Sequence, residues 1–203
     1  MHPLLLDIPK ILETKRLSMR AYDAGDGAWY FDMIRRNRDH LTGIMPDFIL
    51  NVDSAEEAET LMRQWAADWA ARNRFCLGVW ERASGAFVAE IYIQGMDWEV
   101  PTIELGYFAD VERQGRGFVT EAVAAAVGMI FESMLAHKIC IVCDDANPKS
   151  HAVAERCGFV REGVLREQKR RPGGGFISSR FYGLLRSEYE LRGEYEKNIT
   201  TDK

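Results

Sequence analysis

The stretch "TIELGYFADVERQGRGFVTEAVAAAV", residues 102–127, passes from an extended run through a pair of glycines into a helix. Residues 102–111 read as a strand. After Gly115 and Gly117, apolar residues recur at Val119, Ala122, Val123, Ala126, Val127, Ile130, Phe131 and Met134, which is helical spacing. Glycines ahead of a helix start form a natural anion site, because the first backbone N–H groups are unpaired and the helix dipole favours negative charge. The rest of the chain is organised around this junction.

Downstream, the helix runs to about Leu135 and is followed by a buried strand, "KICIVCD" (138–144), giving a strand-helix-strand unit whose two strands should be parallel. "NPKSHAVAERCGFV" (147–160) is a short helix with full boundary signals: Asn147 as N-cap, Pro148 at the first helical position and Gly158 past the last turn. "EGVLRE" and, after the turn "RRPGGG", "FISSRFYGLL" form a closing pair of strands. Upstream, "TKRLSMRAY" (14–22) is a first strand, and two helices follow: one around Ala28 to Arg36, and a longer one after Asp53 that opens with Ser54 and Glu57 at capping-box spacing. The runs 74–81, 86–95 and 102–111 make an antiparallel meander, its first turn being "RASG".

The chain has 203 residues, 47% hydrophobic and 28% charged, which suits one globular domain. We expect that domain to cover residues 1–191, with a polar, frayed tail over 192–203. A net charge of -5 argues against a general nucleic-acid or anionic-membrane binder. No apolar run reaches the ~20 residues of a membrane span, and the start "MHPLLLDIPKILE" is not built like an export signal, so a cytoplasmic location is expected. Cys76, Cys140, Cys143 and Cys157 read as reduced, mostly buried thiols, and the C-x-x-C of 140–143 lies on a strand where its two members point to opposite faces. No metal site is expected.

Three phosphate-binding patterns compete for residues 111–121. A Walker loop needs a lysine after Gly117, and a dinucleotide fingerprint needs a third glycine where Thr120 stands. The third pattern, Q/R-x-x-G-x-G/A, matches Gln114, Gly115, Arg116, Gly117 and Phe118 and departs at Val119. With "ETKRLSMR", "IELGYFADVERQGRGFVTEAV" and "NPKSHAVAERCGFVREGVLRE" in this order, the chain from about Glu13 to Tyr189 resembles the GNAT superfamily of N-acetyltransferases. Its N-x-x-S-x-x-V-x-E-x-x-G-F-x-x-E-G pattern is similar to the RimJ/RimL group, which acetylates ribosomal-protein N-termini.

The resemblance implies an α/β (α+β) GNAT fold, a mixed and mostly antiparallel sheet of about seven strands with one splayed parallel pair and about four flanking helices. It implies acetyl-CoA as cofactor, with the backbone of Gln114, Gly115, Arg116, Gly117, Phe118, Val119 and Thr120 around its diphosphate. The backbone from Tyr107 through Phe108 and Ala109 to Val111 would pair with the pantetheine arm, which Asn147 would also contact. Acetyl transfer to an amine needs a proton acceptor, a polarised carbonyl and a proton for the leaving thiolate. Glu104, ten residues before Gln114, is the first candidate base and Glu90 the reserve. Many members protonate the thiolate with a tyrosine in the last helix; Ala154 stands there, so Ser150 takes its place as candidate.

Consecutive helical positions diverge, so His151 and Ser150 should not form a dyad, and His40 falls where an acceptor groove would lie. Lys169, Arg170 and Arg171 read as a solvated turn flanking the acceptor side. The expected acceptor is a protein or peptide N-terminus, the alternatives being a small amine such as an antibiotic or polyamine, or a CoA-binding module without turnover. The chain is expected as a monomer or a homodimer, with an exposed strand edge or the helix bearing Trp65 and Trp69 as the association surface.

Overall fold

Strand-helix-strand connectivity puts the two strands flanking the glycine junction side by side and parallel, and the remaining strands extend the sheet outward from both. The computed structural model describes residues 2–42, 47–170 and 174–192. Its strands are β1 (Ile11–Glu13), β2 (Leu17–Ala21), β3 (Phe75–Glu81), β4 (Phe87–Asp97), β5 (Thr102–Ala109), β6 (Lys138–Asp144), β7 (Val160–Arg170) and β8 (Phe176–Leu185). They form one sheet in the order β1-β2-β3-β4-β5-β6-β8-β7. Only β5 and β6 pair in parallel; every other neighbour is antiparallel. The eighth strand beyond the expected count is β1, a three-residue edge that pairs with β2 before the chain reaches "RLSMR".

The helices are α1 (Gly27–Leu41), α2 (Asp47–Leu50), α3 (Ala55–Ala71), α4 (Phe118–Glu132) and α5 (Pro148–Arg156). Helix α4 buries Ala122, Val123, Ala126, Val127, Ile130 and Phe131, the stripe read from the sequence, against one face of the sheet. Helices α1 and α3 cover the opposite face around Tyr30, Met33, Ile34, Met62 and Trp65. Covered on both faces, β3 and β4 are apolar almost without alternation. Helix α1 continues one turn past the expected Arg36, because Asn37 and Leu41 also face the core. Ser54 accepts from the Glu57 amide at 3.1 Å, the cap that its spacing implied, while the Glu57 carboxylate reaches one residue beyond the cap and accepts from the Asp53 amide at 2.8 Å.

Two expectations are corrected. Trp65 and Trp69 are buried at 3% and 4% exposure, inside the contact between α3 and the sheet, so they are not an association surface. Of the four cysteines only Cys76 is buried; Cys140, Cys143 and Cys157 are partly exposed, because β6 and α5 border the opening described below. Arg171 and the tail from 193 onward lie outside the described residues. Among the described residues no helix is long and apolar enough to cross a membrane, and no group of side chains is arranged to hold a metal ion.

Candidate active site

The site begins where a parallel pair stops. β5 and β6 are in register from Thr102↔Lys138 to Glu104↔Cys140 and no further. Beyond that point β5 stays bonded to β4 as far as Ala109, while β6 stays bonded to β8 as far as Asp144. The two strands therefore part in a V, and the edge of residues 105–109 that faces β6 has no partner strand. Tyr107 reaches across the gap to α5: its hydroxyl donates to the Ser150 carbonyl at 3.0 Å and lies 3.2 Å from the Ser150 Oγ. Burial pushes the Tyr107 phenol well up, the contact with Ser150 opposing it. Cys143 also lines this place, its thiol raised by burial with Ser150 again opposing.

The glycine loop closes the C-terminal end of β5. Gly115 and Gly117 have φ of 75° and 77°, a left-handed conformation that favours glycine, and Gly117 is the N-cap of α4 with no side-chain cap. The first amides of α4 consequently lack side-chain acceptors and face outward. Nothing lies within 4 Å of a Cβ built on Gly115, so the glycine there serves the backbone conformation and leaves the approach to the loop open. Gln114 links three elements: its Oε1 accepts from Lys149 Nζ at 2.7 Å and its Nε2 is 3.2 Å from His40 Nε2.

Asn147 caps α5, its Oδ1 accepting from the Ser150 amide at 3.1 Å, as the sequence implied. His151 turns away from Ser150; its Nε2 is 3.0 Å from the Asp144 carbonyl, so the pair forms no dyad. Ala154 is fully buried beneath α5. Lys169 and Arg170 sit exposed at the end of β7, opposite Ile177 and Phe176, where Arg170 lies over the Phe176 ring at 5.4 Å.

The two candidate bases share one face of the sheet but not one environment. Glu104 is half-buried at the last paired position before the V, and accepts from Gln94 Nε2 at 3.2 Å. Glu90, opposite Phe108 on β4, is 0% exposed. Tyr22 makes a very short hydrogen bond to its Oε2 and Tyr30 donates to its Oε1 at 3.4 Å. Burial drives the Glu90 carboxyl up to about 7, with the hydrogen bonds from Tyr22 and Tyr30 opposing.

One network at the site was not read from the sequence. Buried Asp110, just after β5, accepts from Arg36 Nη2 at 2.7 Å, Asn37 Nδ2 at 3.1 Å and the Glu112 amide at 3.0 Å. Burial alone would raise its carboxyl, but these partners hold it below the ordinary aspartate value. Asn37 also accepts from the Val111 amide at 2.8 Å, so that amide is engaged within the protein. The only local signal was an Asn on the apolar stripe of α1.

A splayed parallel pair, a glycine loop at its end and a helix crossing its mouth are accompanied by a direct match over residues 16–160 to the family model of the acetyltransferase (GNAT) domain. The chain belongs to the GNAT acetyltransferase family. YdaF of Bacillus subtilis (strain 168) is 26% identical over 182 residues, which is 87% of this chain and 94% of that one. Spermidine N(1)-acetyltransferase of Vibrio cholerae is 27% identical over 180 residues, 89% and 95% of the two chains. Among solved structures, RimL, a ribosomal L7/L12 alpha-N-protein acetyltransferase in complex with coenzyme A, superposes with a TM-score of 0.79 at 18% identity, over 89% of this chain and 98% of that one. The fold of this GNAT chain is thus that of enzymes which carry CoA, and its membership supports acetyl-CoA as cosubstrate.

The residues present fit that group. An amide edge without a partner strand suits the pantetheine amides, and the left-handed glycines before the uncapped α4 start suit a diphosphate.

Proposed function

We propose that this GNAT enzyme transfers an acetyl group from acetyl-CoA to the α-amine of a protein or peptide N-terminus by direct attack on the thioester. The parting of β5 and β6 directly after Glu104 carries the reading. That opening suits a pantetheine arm along residues 107–109, the Val111 amide being held by Asn37, and the arm would then bring the diphosphate to the loop of residues 114–120 and the reacting end to Glu104. Acetyl-CoA supplies the activated acyl carbon and a thiolate leaving group.

Glu104 takes the proton from the incoming ammonium, directly or through water. Burial raises the Glu90 carboxyl to about 7, which a base favours, but access decides before pKa does. Glu90 is sealed among tyrosines, whereas Glu104 is half-exposed where the strands part. A backbone amide on the unpaired edge of residues 105–109 polarises the carbonyl, and Ser150, held by Asn147 and Tyr107, places a hydroxyl for the departing sulfur.

The N-terminal acceptor rests on the N-x-x-S-x-x-V-x-E-x-x-G-F pattern and on the likeness to RimL; the Vibrio cholerae relative points instead to a polyamine. Incubating the enzyme with acetyl-CoA, a panel of peptides with free or blocked N-termini, and spermidine separates the two. Acetylation confined to free peptide N-termini is expected. Acetyl-spermidine as the sole product would replace this acceptor, and binding of acetyl-CoA with no product from any amine would replace the enzyme with a binding module.

A further inference from the structure

The bend between β1 and β2 carries a residue that the loop pattern does not contain. Arg16, directly before β2, extends over the beginning of α4. Its Nη1 donates to the Arg116 carbonyl at 3.0 Å, its Nε to Glu121 Oε2 at 2.6 Å, and its guanidinium lies over the Phe118 ring at 4.8 Å. Its Nη2 is 3.5 Å from the place where a Cβ on Gly117 would stand. Glu121 is held further by the Thr14 hydroxyl at 2.7 Å and the Arg16 amide at 3.0 Å. The two ends of "TKR" and the first turn of α4 are therefore one hydrogen-bonded unit.

This unit answers an electrostatic problem. A carboxylate in the first turn of a helix interacts well with the helix dipole, but here the same N-terminus faces the diphosphate and the two negative charges would compete. Arg16 neutralises Glu121 and, through the Arg116 carbonyl, fixes the peptide leading into Gly117. We infer that Arg16, together with Glu121, is a positioning pair for the diphosphate loop, setting its shape and its charge from outside the loop itself. The inference rests on the reading that residues 114–120 hold the diphosphate of acetyl-CoA.

The test compares acetyl-CoA with S-acetylpantetheine, which has the thioester and pantetheine arm but no diphosphate. Loss of the two charge-assisted contacts of the guanidinium, to the Arg116 carbonyl and to Glu121, is expected to raise the KM for acetyl-CoA about tenfold in Arg16→Gln, with kcat within about twofold. The kcat/KM for S-acetylpantetheine should stay at the wild-type value, and adding Glu121→Gln to Arg16→Gln should recover most of the lost acetyl-CoA affinity. Equal losses with both donors would mean a merely structural role and overturn the inference, as would an unchanged KM in Arg16→Gln while Gly117→Glu abolishes acetyl-CoA binding. Wild-type affinity in Gly117→Glu would instead bring down the loop reading beneath it. If Arg16→Gln does not fold, Arg16→Lys carries the same comparison: a raised KM for acetyl-CoA alone supports the pair, and parallel losses with both donors refute it.

Discussion

Glu90 and Glu104 stand on neighbouring strands and the same sheet face, yet one is enclosed and the other stands at an opening. The difference comes from what each strand lacks. β4 is bonded on both sides around Glu90, from Ala89 to Ile93, and covered by α1 and α3, so Glu90 is sealed between Tyr22, Tyr30 and Tyr92 and its carboxyl is raised by desolvation. β5 loses its β6 partner after Glu104, and the strand edge opens there. Two identical side chains thus meet different surroundings through strand pairing and helix cover, and only the one at the opening is open to the chemical role proposed for it.

The comparison is broken most severely at Glu90. Its carboxyl is raised from the ordinary 4.5 to about 7, so the folded state binds the proton more tightly than the unfolded one. The stability it contributes is fully present below the unfolded value and is lost as pH rises through about 7, a change of about 3 kcal/mol. Denaturant unfolding of the wild type should show this fall between pH 5 and pH 8, and Glu90→Gln should flatten it; equal slopes in the two proteins would deny the buried carboxyl its role.

At Glu104 the expected effect lies in turnover. Glu104→Gln should lower kcat at neutral pH about a hundredfold, the usual scale for losing a general base, with little change in acetyl-CoA binding by calorimetry. If turnover survives across the pH range, the exposed glutamate is no base and the contrast with Glu90 reduces to burial. The smallest effect falls on the helix opposite the V. Asn147→Ala removes the acceptor of the Ser150 amide and should cost about 1 kcal/mol in chemical denaturation. Retention of full stability would mean that α5 is held by packing alone.

What could be read ahead of the structure follows the range of the interaction that fixes it. Asn147, Pro148 and Gly158 announced α5 because caps act within one turn. Gly115 and Gly117 announced the loop because positive φ is a single-residue property. Asp110 gave no comparable signal: Arg36 and Asn37, which hold it, lie on α1 more than seventy residues earlier. Glu90 was the reserve base by its place on the neighbouring strand, and a strand covered on both faces shows no alternation to say which side it enters. Trp65 and Trp69 share the helical stripe of Ala58 and Met62, but an apolar stripe does not say whether the chain's own sheet or another surface covers it.

Sequence alone was enough for the succession of the longer strands and helices, the helix caps, the parallel pair and the glycine loop, since each depends on local backbone preference or on the period of apolar residues; the three-residue β1 and the four-residue α2 are too short to show either. Tertiary structure alone decided where β5 and β6 part, which glutamate is sealed, and that Arg16 reaches Arg116 and Glu121. Those outcomes depend on strand register and on side chains meeting across a hundred residues, and no local rule in the chain encodes such distances.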